Sequence, residues 1–157
     1  MDTSELEAAY RPLLDLAARM TDPEAGHGEA WGPADVLAHL IINDRLVSQA
    51  LRSVLDGEVV PYDNADAITL AELRALAGEL GGPARLADGL AASSRELLAL
   101  AGRLDEAQAA IRLPVRIVDN GEVFIDRPLP VSGLLATQAR AHLPMHQRQL
   151  SELLGLP

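Results

Sequence analysis

A chain of 157 residues, 48% of them apolar, has the length for one domain with a sizeable core and is short for two. Its 13 basic residues are all Arg and stand against 23 acidic ones, and the resulting net charge of −10 repels a phosphate backbone and disfavours a nucleic-acid role. The absence of cysteine excludes disulfides, thiolate ligands and a Cys nucleophile, so any thiol chemistry must use a thiol brought from outside.

The apolar residues are mostly Ala, Leu, Val and Ile, with one Trp, one Phe and two Tyr. Such small aliphatics suit close helix packing. The first residues, Met1 to Glu7, are acidic and lack the basic start and apolar stretch of a signal peptide. The run Leu40-Ile41-Ile42 is far too short to span a bilayer. The expectation is a cytoplasmic protein with neither a membrane nor a nucleic acid as partner.

Ser4 and Glu7 read as a capping box, and Leu6, Tyr10, Leu13, Leu14 and Ala17 follow at helical spacing, predicting a first helix from about Ser4 to Met20. Residues 21–29, with His27 among them, read as a polar loop. Pro33 opens a second helix, where its missing N–H is harmless. Its stripe Val36, Leu40, Val47, Ala50 and Val54 runs to Leu55, and Gly57 stops it. His39 and Asn43 fall on or beside that stripe, and polar groups turned toward a core need partners. Residues 57–68 read as a loop. Thr69 and Glu72 form a second capping box, opening a short helix interrupted at Gly81-Gly82-Pro83. A longer piece continues through Leu86, Leu90, Leu97, Leu98 and Leu104, and the two count as one broken third helix.

The period then changes. Residues 111–118 alternate as a strand, Asn120-Gly121 is a two-residue hairpin turn, and Glu122 to Ile125 returns. Pro114 confines its strand to an edge or an end. Ser132 can cap a last helix with Leu135, Ala139, His142, Leu143, His146, Leu150 and Leu153 on its inner face. The chain thus reads as all-α: a single domain, residues 1–157, forming a four-helix bundle with a small β-hairpin between the third and fourth helices.

His142 and His146 stand four apart, so on a helix both imidazoles share one face and reach one metal ion. His39, on the inner face of another long helix, is the third ligand of choice, because burying three neutral imidazoles without partners is unfavourable. The competing reading makes His39 a core residue bonded to a carbonyl, with the pair at a wet end of the bundle. Pro144, between the pair, removes a backbone donor and conflicts with the carbonyl four residues earlier, predicting a kink or bulge there. Asn43 and Gln149 are candidates to bond an imidazole or a bound water, or in the case of Asn43 a substrate; a helix–helix contact and plain surface are the alternatives. Asp44 and Arg45 read first as an exposed ion pair, with substrate binding as the alternative, His27 as a loop residue, and Trp31 as packing at the start of the second helix.

Trp31 to Leu46 (WGPADVLAHLIINDRL), paired with His142 to Leu150 (HLPMHQRQL), resembles the DinB/YfiT-like superfamily, to which mycothiol-dependent maleylpyruvate isomerase belongs. The likeness extends along the whole chain as a helix order, and its specific motifs are these two segments. The resemblance implies a four-helix bundle, a divalent metal on His39, His142 and His146, low-molecular-weight thiols as co-substrates, and homodimers.

These readings lead to a divalent-metal-dependent enzyme acting on a small molecule, a thiol-dependent S-transferase or isomerase. Zn is the first expectation for the metal and Ni, Fe or Mn its alternatives. No side chain stands out as a general base, which suits a metal-activated nucleophile. The alternative is a non-catalytic dimeric bundle that binds a metal or a small ligand. Metal binding is expected to weaken below about pH 6.5, the reference value of imidazole.

Overall fold

The computed structural model describes residues 1–21, 30–119 and 122–156; His27 and the Asn120-Gly121 turn lie outside them. The chain is mostly helical with one small sheet. Helix α1 spans Ser4–Arg19 and buries Leu6, Tyr10, Leu13 and Ala17, the expected face. Its capping box does not form: Ser4 is already helical and donates its N–H to Asp2 Oδ1 at 2.9 Å, and Glu7 accepts from Thr3 Oγ1 at 2.7 Å.

Helix α2 spans Pro33–Leu55, with Pro33 in its first turn and the Asp35 carboxylate accepting from the Gly32 N–H at 2.9 Å. It is buried on nearly every face, because it lies against so many other elements. Strand β1 (Tyr62–Asp63) and a 3₁₀ turn (Asp66–Ile68) follow, then helix α3 (Leu70–Leu80) and helix α4 (Pro83–Arg103). The last two are separate helices rather than one broken one. Gly81 at φ 73° and Gly82 at φ 131° take backbone conformations that side chains disfavour, turning the chain before Pro83 restarts it. Thr69 precedes α3 as read, but its hydroxyl turns back to the Ala65 carbonyl at 3.3 Å instead of capping.

A short helix α5 (Glu106–Ala110) was not expected. It is closed by a capping box, Gln108 N–H to Asp105 Oδ1 at 2.8 Å and Asp105 N–H to Gln108 Oε1 at 3.1 Å. After strands β2 (Arg112–Asp119) and β3 (Glu122–Pro130), helix α6 (Val131–Thr137) runs through a π-helical turn (Gln138–His142) into helix α7 (Leu143–Leu153). Ser132 lies inside α6, so it is not the cap, and Leu153 is exposed instead of inward. Helix α4 packs on α1 and α2, α7 packs on the same two, and α3 lies along α2.

The sheet has three strands in the order β1-β2-β3 rather than two. The loop read over residues 57–68 supplies β1, which pairs parallel with Val115 and Arg116. What holds it there is Asn64, whose Nδ2 donates to the Val118 carbonyl at 3.0 Å while its Oδ1 accepts from the Val118 N–H at 2.7 Å. Replacing Asn64→Ala removes both bonds and leaves buried backbone groups unpaired, so a loss of about 2 kcal/mol is expected in urea unfolding.

Pro114 lies in the central strand, yet costs the ladder nothing. Val131 N–H donates to the Ile111 carbonyl at 2.9 Å, which makes Arg112↔Pro130 a non-hydrogen-bonded pair. Pro114↔Pro128, two steps along, is then of the same kind, and the missing N–H groups point away from each other. On its other side Pro114 meets no partner, since β1 begins pairing at Val115. A bulge between Ile117 and Val118 leaves Phe124 as the extra residue of β3.

The Asp44–Arg45 reading is overturned. Arg45 is exposed, but Asp44 is fully buried, accepting from Tyr10 Oη at 2.6 Å and Ser93 Oγ at 2.7 Å. The carboxyl therefore ties α2 to α1 and α4. Burial outweighs those two donors and pushes it up to about 7.

Candidate metal centre

His39 stands in the middle of α2, His142 ends the π-helical turn, and His146 lies one turn into α7. The three rings converge. Their centroids are 4.5 Å apart for His39 and His146, 4.6 Å for His142 and His146, and 5.1 Å for His39 and His142. One ring nitrogen of each lies within 4.8 Å of the others, and the group can hold a metal ion.

Pro144 explains why the pair keeps its spacing. Its ring conflicts with the Arg140 carbonyl, and that residue sits inside the widened π turn. The distortion is absorbed before His142, so the turn between the two histidines stays helical. The predicted bulge is present, and it sets the rotation of the pair relative to Gln138 rather than the spacing within it.

The hydrogen bonds fix two tautomers. His39 Nδ1 lies 2.7 Å from the Ala67 carbonyl, which can only accept, so Nδ1 carries the proton and Nε2 is bare. His146 Nδ1 donates in the same way to Gln149 Oε1 at 2.8 Å. Outer bonds of this kind orient imidazoles for metal binding. His39 thus has the carbonyl partner of the competing reading, but its second nitrogen faces His142 Nε2 at 2.9 Å. Since His39 Nε2 can only accept, His142 carries its proton on Nε2 and donates it to His39 in the metal-free chain; an ion held by all three rings would displace that proton. His142 Nδ1 is buried with no partner among the described residues. Three neutral nitrogen donors, two of them locked from behind, suit a borderline divalent ion.

Burial drives the titration. It pushes His39, beside His146, down to about 3 against the upward pull of the Ala67 carbonyl. Burial next to the other two rings holds His142 well below the usual range, and burial lowers His146 despite Gln149 and Asp119. Burial therefore shifts the competition between protons and a metal ion to lower pH than the imidazole reference value alone implies.

All three rings line a cavity of about 690 Å³. Trp31 forms one wall, its ring 5.1 Å from His39 and stacked at 6.2 Å on His146, so it contacts the site as well as packing at the start of α2. Gln149 is the imidazole contact anticipated. Asn43 bonds neither ring: Tyr62 Oη donates to its Oδ1, and its Nδ2 donates to Gln138 Oε1 at 2.9 Å. Asn43 thus bridges two other buried side chains, Tyr62 and Gln138. Asn43 thereby positions Tyr62 and Gln138, both of which line the cavity.

Sequence reasoning missed Tyr62, Gln138 and Asp119 as cavity residues. Gln138 carried a signal in its spacing of four from His142, whereas Tyr62 and Asp119 reach the cavity through the sheet, which no periodicity announces. No helix among the described residues is long and apolar enough to cross a membrane. No protein-family model, curated protein or solved structure matches the chain.

Proposed function

We propose that this chain is a divalent-metal-dependent enzyme of the DinB/YfiT-like kind, with His39, His142 and His146 as ligands and Zn, Ni, Fe or Mn as the ion. Its chemistry on this reading is thiol-dependent transfer or isomerisation of a small molecule. The four-helix bundle of that superfamily would consist of α1, α2, α4 and the α6–α7 run, since α4 and α7 each pack on both α1 and α2. A second copy of the chain is the partner the resemblance implies.

One observation carries the reading: three imidazoles whose ring nitrogens converge also line a cavity, so a ligand in the cavity could reach an ion they hold. A dication there would supply a Lewis acid that lowers the pKa of a thiol or water bound to it. The residues of the chain do the rest. Ala67 and Gln149 hold Nδ1 protons on His39 and His146, keeping Nε2 free. Trp31 shields His39 and His146 from water on one side. Tyr62, Asn43 and Gln138 lock one another and keep the wall beside His142 rigid.

The test is a thiol-transfer screen with metal-loaded and chelator-stripped protein over small electrophiles. Turnover that needs both metal and thiol is expected, and its loss in His142→Ala. Metal binding without turnover of any acceptor leaves the non-catalytic bundle in its place.

A further inference from the structure

The cavity wall has an uneven chemistry. Facing the rings are Trp31, Ile117, Phe124, Ile125 and Met145, a largely apolar surface whose rim residues Phe124 and Met145 are 67% and 39% exposed. Asp119 is its only carboxylate among the described residues, and no Arg lines it. Residues 22–29, 120–121 and 157, outside the described ones, contain neither Arg nor Lys.

Most of the polar side chains of the wall are already engaged. Both amide atoms of Asn64 clasp Val118. Thr137 Oγ1 donates to the Gly133 carbonyl at 2.9 Å. Tyr62 Oη and Gln138 Oε1 are both bonded to Asn43 and Gln149 Oε1 to His146, so what the wall can still offer an anion is a neutral amide N–H and no charged donor. A carboxylate placed on this wall would be desolvated without a cation and would face Asp119 in a chain of net charge −10.

We infer that the cavity selects a ligand with a single metal-seeking head and an uncharged, mainly apolar body, and rejects dianions. This rests on the three-histidine site proposed above only for the head; the selection of the body follows from the wall. A volume of about 690 Å³ suits a drug-sized body, well beyond a lone thiol head. The carboxylated thiols and dicarboxylic acids expected of a site rich in Arg are on this account poor ligands.

The chain reports its own occupancy, because Trp31 is its one tryptophan and lines the cavity. Trp31 fluorescence is followed while 3-phenylpropane-1-thiol or phenylsuccinate is added to metal-free and to Zn-loaded protein. The thiol is expected to bind in both states, more tightly with Zn, and phenylsuccinate at least about tenfold more weakly than the thiol in each. Phe124→Arg, at an exposed rim position, is expected to raise phenylsuccinate affinity about tenfold and to lower that of the thiol, whose apolar body loses a contact. If Zn leaves the thiol affinity unchanged, the metal reading fails while the selectivity ratio in metal-free protein still decides the inference. Phenylsuccinate binding as tightly as the thiol, or no response to either probe, overturns it.

Discussion

Zn at a hundredfold excess over its Kd is expected to raise the melting temperature of the parent chain by about 8 °C. An ion bound only by the folded state stabilises it by RT ln(1 + [L]/Kd), about 2.7 kcal/mol at that excess. For a chain of this length each kcal/mol moves the midpoint by about 2–4 °C. An ion held by His39, His142 and His146 would join α2 to the last helical run, so each ligand would be needed. His146→Ala should abolish most of the shift, and so should His39→Ala. The latter also lowers the metal-free midpoint, since it leaves the Ala67 carbonyl without its donor. His27→Ala should keep the full shift. Thermal scans of the four proteins with and without Zn check this, and a shift lost only in His27→Ala would show the ligand assignment to be wrong.

Acid is expected to unfold the metal-free chain well before carboxylate protonation alone would do so. His39 is held at about 3 in the fold against a reference of about 6.5 when unfolded. The unfolded state binds the extra proton between those values, so stability rises with pH across that window and falls as pH drops below about 6.5. The separation is worth roughly 5 kcal/mol at its low end. His142 and His146 are shifted in the same direction and steepen the fall. Asp44 works against them. Its carboxyl is raised to about 7, so its contribution is present below about 3.8 and lost as pH rises through 7. With three histidines against one aspartate, the net loss runs downward from about pH 6.5 toward about 3, where His39 itself takes up its proton. Urea unfolding at pH 7 and pH 5 should show a lower midpoint at pH 5, and Asp44→Asn should widen the difference by removing the opposing contribution. Equal midpoints in the parent would contradict the burial of the three rings.

The convergent histidines were legible because a helix imposes its period. His39 on the α2 stripe and a pair four apart on the last helix could be placed on faces before any coordinate was known, and Pro144 announced the distortion beside them. Asp44 was misread because a single amphipathic stripe was assumed for α2, whereas that helix is covered on nearly all sides and a charged residue off the stripe is still inside. The third strand was invisible because two residues carry no alternation; it is held by the Asn64 side chain, a bond between positions 54 residues apart. Asn43 was read as a polar residue needing a partner, which it has, but the partners Tyr62 and Gln138 come from different elements and only the fold brings them together. Local capping was the least transferable reading: Ser4 is the first residue of α1 and Thr69 stands just before α3, yet neither side chain caps a helix.

The most direct test of the three-histidine centre is the metal content of protein produced without a His-tag, measured by elemental mass spectrometry after dialysis, for the parent and for His146→Ala. One divalent ion per chain is expected in the parent and a small residue of it in the variant, because two imidazoles hold a borderline ion far less firmly than three. A parent that binds no divalent ion when reconstituted, or a variant that retains the parent's full content, would contradict the account.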